Sequence, residues 1–451
     1  MANTYLTRTN GTPTDARKWT LSVWFKSKYD QDTGATQEIL HSGPAGTDEV
    51  LFRLENDGTF NIKEDASSAI AWSFIRPNAK LRDNAAWYHL VATFDSTQAT
   101  STDRLKMWIN GESVADNSGF DSFVAPSLNY EPILTKSGYD IKIGARNFDN
   151  ANPFQGHMSH YHLTDGYAYD ASAFGETDST TGEWKIKTSP SVNYGNNGFF
   201  LFKDDASVND QSGNGNNFTL SGTLTKSEDN PSNIFCTLNP TVPKHAADGN
   251  DDQSQTGVFS NGFNTWTSTN SVWNSRGSGT LFAKTGKFYY EVQWGGGSDP
   301  LAFAGISNPD VLYDNLGGTM ALTGTYSYYG NGTMYEGSSS TASYGTAWSN
   351  TNDILGVAVD LDNSKIYYSV NGTWQNSADP GAGTGGITIT GDTFYTPRCT
   401  IHNIALRFNF GNGYFGTTAV SSAGTNASGL GIFEYDVPTG FTAWCTKGLN
   451  E

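Results

Sequence analysis

Apolar and polar residues alternate over short runs along most of this chain, and the runs stop at Gly, Asn and Asp. From Lys18 to Lys26, Leu21, Val23 and Phe25 alternate with Thr20, Ser22 and Trp24, which predicts a half-buried strand. Glu49 to Lys63 reads as a hairpin turning at Asn56-Asp57-Gly58. Ala85 to Asp95 leads into Arg104 to Val114, a second hairpin turning at Asn110-Gly111. The pattern recurs from Asp353 to Trp374, where one run ends on Asp362-Asn363 and the next on Asn371-Gly372. Val357, Val359 and Leu361 share one face there, as do Ile366, Tyr368 and Val370. Asn-Gly suits tight hairpins because their central residues need positive φ. The predicted elements are short strands with almost no helix.

Composition agrees with that pattern. Fifty Gly, 22 Tyr, 26 Phe and 12 Trp in 451 residues suit strands joined by turns. The length suits two domains of about 200 residues, each able to bury roughly 70% of its unfolded surface. Residues 241–257 hold two prolines and a polar run without periodicity, so they mark a linker between domains 1–240 and 258–451. Cys236, Cys399 and Cys445 are too few for a disulfide framework and are expected as buried thiols. The net charge of −18 excludes nucleic acid as a natural partner, since phosphate binding needs a positive surface. No signal-like segment opens the chain and no run of about 18 apolar residues occurs, so neither secretion nor membrane insertion is expected. No heptads or fixed-period repeats indicate a fibrous shaft.

The second half resembles a SPRY domain. The Asp353 to Trp374 strand pair forms its center, with GKFYYEVQW (Gly286 to Trp294) and LAFAGIS (Leu301 to Ser307) before it and IALRFNFGNGYF (Ile404 to Phe415) after it. That resemblance implies a β-sandwich that binds partners through its loops. The first half resembles a laminin-G or concanavalin-A-like jelly roll, on WYHLVATFD, KMWINGE, IKIGAR and an F-x-G strand in that order. Asp165 to Pro240, including NDQSGNGNNFTLSG, resembles a recurring module of structural proteins in tailed, marine-type bacteriophages. Its SGNGN element opens many such jelly rolls and here follows the other strands, so it is read as a permuted closing strand. The fold class expected is all-β: two β-sandwich (jelly-roll) domains, laminin-G/concanavalin-A-like and then SPRY-like.

Candidate chemistry is sparse. Concanavalin-A-like β-glucanases place paired acids on one strand face, and the nearest match is Glu434-Tyr435-Asp436, in the second half and without a third acid. Gly295-Gly296-Gly297 lacks a lysine and a following helix, so it is a loop and not a phosphate cradle. Of His157, His160 and His162, strand alternation lets only the last two face the same way, which is too few for a metal site. Family resemblance leaves calcium open through the loop acids Asp30, Asp32, Asp48 and Asp149, although no spaced motif selects among them. No cofactor is expected. Loop aromatics carry the stronger signal: Tyr313, Tyr328, Tyr329, Tyr335, Trp348 and Trp374 have flat rings suited to sugar faces or protein partners.

These readings lead to a non-enzymatic bacteriophage virion protein, made in the host cytoplasm and displayed on tail or capsid. Its expected partners are a host-surface glycan or envelope protein and other virion proteins, with self-association left open. The alternatives are a structural capsid decoration protein and, less favored, a polysaccharide depolymerase.

Overall fold

The computed structural model describes residues 4–27, 35–44, 48–77, 80–114, 120–180, 182–204, 206–239, 257–268, 275–297, 301–309 and 324–449. They form two units, Met1–Lys226 and Ser227–Glu451. Both are all-β sandwiches.

In the first unit an antiparallel eight-stranded sheet runs Phe120–Val124, Ala69–Pro77, Phe60–Ala66, Glu49–Leu54, Gln37–Ser42, Asp140–Ile143, Tyr5–Thr9, Thr219–Ser221. A six-stranded sheet faces it, in the order Phe199–Leu201, Gly156–Asp165, Lys18–Ser27, Tyr88–Asp95, Leu105–Ile109, Glu112–Ser113. Alternate residues Trp19, Leu21, Val23 and Phe25 point between the sheets and meet Phe52, Ile62 and Trp72. Trp19 stacks on Phe94 at 5.4 Å and meets Phe52 edge-on at 5.7 Å. Each such buried apolar side chain contributes about 1.5–3 kcal/mol, enough in sum to hold the two sheets together. Both central residues of the Asn110-Gly111 turn take positive φ, +50° and +80°, as its sequence requires.

The strand Lys18–Ser27 departs from expectation. It is buried on both faces, because residues 166–180 and 182–194 lie over the outer face of the six-stranded sheet as a strap. Thr20 Oγ1 donates to the Tyr167 carbonyl and accepts from the Tyr169 amide, so the polar face of the strand grips the strap backbone.

The SGNGN element closes the sheet as read from sequence: Thr219–Ser221 pairs antiparallel with Tyr5–Thr9 at the sheet edge. Asp210 organizes the turn before it by accepting from the Ser212 and Asn216 amides and from Phe200 N. Arg8 then ties that turn to the first strand, donating to Asn216 Oδ1 at 2.9 Å and to the Asn197 carbonyl at 3.0 Å.

The second unit has a nine-stranded sheet. Its main path runs Gly257–Ser260, Thr265–Ser268, Ile404–Asn409, Lys287–Gly297, Ile354–Asp360, Lys365–Val370, Thr373–Trp374. Ile387–Thr388 pairs with Lys365–Val370, and Thr442–Ala443 lies parallel to Lys287–Gly297. The opposing six-stranded sheet runs Ser275–Ser278, Thr396–Ile401, Ala302–Ser307, Thr325–Tyr329, Met334–Glu336, Ser339–Thr341. Val357, Val359, Leu361, Ile366, Tyr368 and Val370 all enter the core between them, on the face their spacing predicted.

The segment 227–239, placed with the first domain by sequence, packs into the second unit. Cys236 N donates to the Trp444 carbonyl at 2.8 Å, Leu238 N donates to the Phe263 carbonyl at 3.0 Å, and Leu238 is buried in the second core. Its apolar residues find their complement there, which a one-dimensional pattern does not reveal. Most of the expected linker, 241–256, lies outside the described residues. The three cysteines are buried, and burial pushes the Cys399 thiol up to about 12.

Candidate recognition surface

Strand alternation divides the loop aromatics. In Thr325–Tyr329 the side chains of Tyr326 and Tyr328 point inward, while Tyr329 falls on the outer face. Tyr328 is fully buried, its hydroxyl donates to the Thr346 carbonyl at 2.8 Å, and burial raises its pKa. Trp348 is also fully buried, edge-on to Trp294 at 5.3 Å. Both therefore leave the candidate set, because their rings complete the core between the sheets. Tyr313 lies outside the described residues.

Tyr329 and Tyr335 come together on the outer face of the six-stranded sheet, over a residue the sequence reading passed by. Phe303 pairs with Tyr329 across the strands, and the two rings stack at 4.4 Å and 17°. Tyr335 stands edge-on to both, at 5.2 Å and 73° from Phe303 and 6.2 Å and 87° from Tyr329. The result is an aromatic corner with a buried floor and two half-buried walls. Exposed Ser340 lies opposite Tyr335 in register, giving the corner a polar edge. The missed signal was local: in LAFAGIS, Ala302, Ala304 and Ile306 share the core face, which leaves Phe303 on the other.

Trp374 belongs to a different surface. It is half-buried on the outer face of the nine-stranded sheet, 6.4 Å from Tyr289 and inclined at 62° to it. A cover formed by Phe433, Val437 and Phe441 shares that face. It is pinned by Glu291, a fully buried carboxylate that accepts from the amides of Glu434 and Tyr435, from the Tyr289 hydroxyl and from Asn409 Nδ2. Burial raises its pKa to about 7 against the opposing pull of those four donors.

The acids weighed for catalysis serve this cover. Glu434 accepts from the Ser421 amide and hydroxyl, and Asp436 from the Thr425 amide and hydroxyl. Both staple their own loop.

The three histidines of Gly156–Asp165 are also arranged differently from expectation. A bulge between Ser159 and His162, with His160 at φ +46°, resets the alternation. Met158, Tyr161 and Leu163 face the core, so His157, His160 and His162 all fall on the outer side. Among the described residues no group of three or more His, Cys, Asp or Glu is placed to hold a metal ion. Of the loop acids considered for calcium, Asp30 and Asp32 lie outside the described residues. Asp48 accepts from the Ser67 amide, and Asp149 is gripped by Arg146.

Comparison with known proteins agrees with this architecture. Residues 1–172 match the concanavalin A-like lectin/glucanases superfamily, and residues 287–413 match the SPRY domain. The chain thus carries a laminin-G/concanavalin-A-like domain followed by a SPRY domain, two folds that suggest a binding function. No curated protein matches it. Among solved structures it is similar to the SPRY domain of human HERC1, with 14% identity, 34% of this chain and 92% of that one covered, and a TM-score of 0.26. It is also similar to the heptameric SAP-like pentraxin of Limulus polyphemus, with 14% identity, 36% and 70% coverage, and a TM-score of 0.27.

Proposed function

We propose that this chain is a non-enzymatic recognition protein of a bacteriophage particle, and that it contacts a host-surface glycan or envelope protein through the Phe303, Tyr329 and Tyr335 corner. The corner carries this reading. Tyr329 and Tyr335 are held rigidly by Phe303 yet keep part of their surface open, so a ligand would bury aromatic area at little cost in rotamer entropy. Glu434 and Asp436 are engaged by loop donors, which favors binding over glycan hydrolysis. The virion setting rests on the resemblance of Asp165 to Pro240 to a phage structural module and on the acidic, Gly-rich composition. Sandwich folds serve many roles, so the side chains and not the fold carry the argument.

The test is direct. The whole chain is expected to bind host cells or their isolated surface polysaccharide, and to release no reducing sugar from it between pH 4 and 9. Steady turnover would establish a depolymerase. Absence of binding, together with fragile particles when the protein is missing, would establish decoration.

A further inference from the structure

The strap over the first sandwich contains a hairpin, Gly175–Thr177 paired with Trp184–Ile186, whose outer residues Glu176, Thr177 and Lys185 are exposed. One side chain fixes it to the sheet. Trp184 lies so close to Gly111 and Gly175 that a Cβ on either would sit 2.4 Å from its ring atoms. Its Nε1–H donates to His89 Nδ1 at 2.9 Å. An indole N–H can only donate, so His89 Nδ1 must be the unprotonated nitrogen, and its Nε2–H donates to Ser22 Oγ at 2.8 Å. Trp24 stacks on one face of the imidazole at 4.6 Å and 4°. His89 is thereby held by one tryptophan over its face and another at its Nδ1 edge, and committed to one neutral tautomer.

A proton on Nδ1 would turn this acceptor into a donor aimed at another donor, inside a site closed to water. We infer that the Trp184 to His89 contact is a proton-released latch: the paired strands Gly175–Thr177 and Trp184–Ile186 are closed over the sheet while His89 is neutral, and acid opens them without unfolding the sandwich beneath.

The surroundings favor this. Burial, and then repulsion from His160, push His89 down to about 3, whereas a solvated imidazole titrates near 6.5. His162 is likewise held neutral by burial and by the neighboring imidazoles, with Nδ1 2.9 Å from the Tyr194 hydroxyl. Burial brings His160 down to about 4, with Asp204 raising and Lys203 lowering it further. On the hairpin itself Lys185 is paired with Glu176 and Asp178. Because the closed form binds the proton more weakly than the open one, falling pH favors the open form. One proton corresponds to about tenfold in the opening equilibrium for each pH unit between ~6.5 and ~3.

Hydroxyl-radical footprinting of the whole chain from pH 7.5 to 4 tests the latch, with Trp184 as reporter and Trp19, in the core of the same unit, as reference. Half-buried Trp184 should show a constant baseline of oxidation near neutral pH that rises as pH falls below ~6.5, while Trp19 stays protected. In a His89→Asn variant, whose neutral amide oxygen takes the place of Nδ1 and can still accept from the indole, Trp184 oxidation should stay at its baseline down to pH 4. Unchanged Trp184 oxidation in the wild type would overturn the inference. So would Trp19 oxidation rising in step, which means global unfolding, or an equal slope in the variant.

Discussion

In the first sandwich the strap across the six-stranded sheet covers His89 and His162, with buried His160 beside them against Phe200, whereas in the second the cover across the nine-stranded sheet is seated on a carboxylate, Glu291. The inner faces of both units follow the same period-2 rule and fill with the same kinds of residue. They differ on the outer faces, which are completed by segments without periodicity. Buried imidazoles disfavor acid and a buried carboxylate disfavors base, so the two halves should respond to pH in opposite directions.

The largest effect should come from removing a core indole. Trp19→Ala in the first unit and Trp348→Ala in the second should each cost about 3–5 kcal/mol. In calorimetry of the whole chain, each variant should lower one transition and leave the other in place. Joint movement of both would show that the units do not melt independently.

The pH comparison comes next. A histidine whose folded pKa is depressed contributes stability at neutral pH that is lost as pH falls below ~6.5, by up to about 1.4 kcal/mol per unit for each imidazole. A carboxyl whose folded pKa is raised does the reverse: its contribution is full below ~4.5 and is lost as pH rises through the folded value. Glu64 in the first unit, which accepts from Trp72, Tyr130 and the Ile133 amide, and Glu291 in the second are both raised to about 7 by burial. Between pH 7.5 and 5, three histidines outweigh Glu64 in the first unit, and Glu291 acts without them in the second. Urea titrations should therefore show the first transition weakening and the second strengthening toward pH 5. A Glu291→Gln variant should flatten only the second response, and parallel shifts in both transitions would refute the assignment.

A smaller effect is expected at the closing turn. Arg8→Ala removes the charged hydrogen bonds to Asn197 and Asn216 and should cost about 2 kcal/mol in the first unit alone. A change below ~0.5 kcal/mol by denaturant titration would mean that strand pairing closes the sheet without help.

Much of this was legible in the sequence because alternation is a local signal. It located the hairpins at Asn110-Gly111 and Asn371-Gly372 and the core face of Ile354–Asp360, whereas the closing strand came from the resemblance of the SGNGN element to a jelly-roll module. The same rule would have separated Tyr328 from Tyr329 had it been applied to the loop aromatics. It failed at His160, where a one-residue bulge inverted the facing of the histidines, and at Ser227 to Asn239, whose partners lie some 200 residues away around Trp444. Trp24 was read as exposed because nothing in Lys18–Ser27 announces that a later strap will cover it.

The account depends most on the corner formed by Phe303, Tyr329 and Tyr335, and equilibrium binding of the whole chain to host cells tests it most directly. An aromatic contact of on the order of 1–2 kcal/mol predicts that Tyr329→Ala and Tyr335→Ala each weaken binding about tenfold, with the melting of the second unit nearly unchanged. Binding that persists at full strength in the double variant, on a second unit shown to be folded, would contradict it.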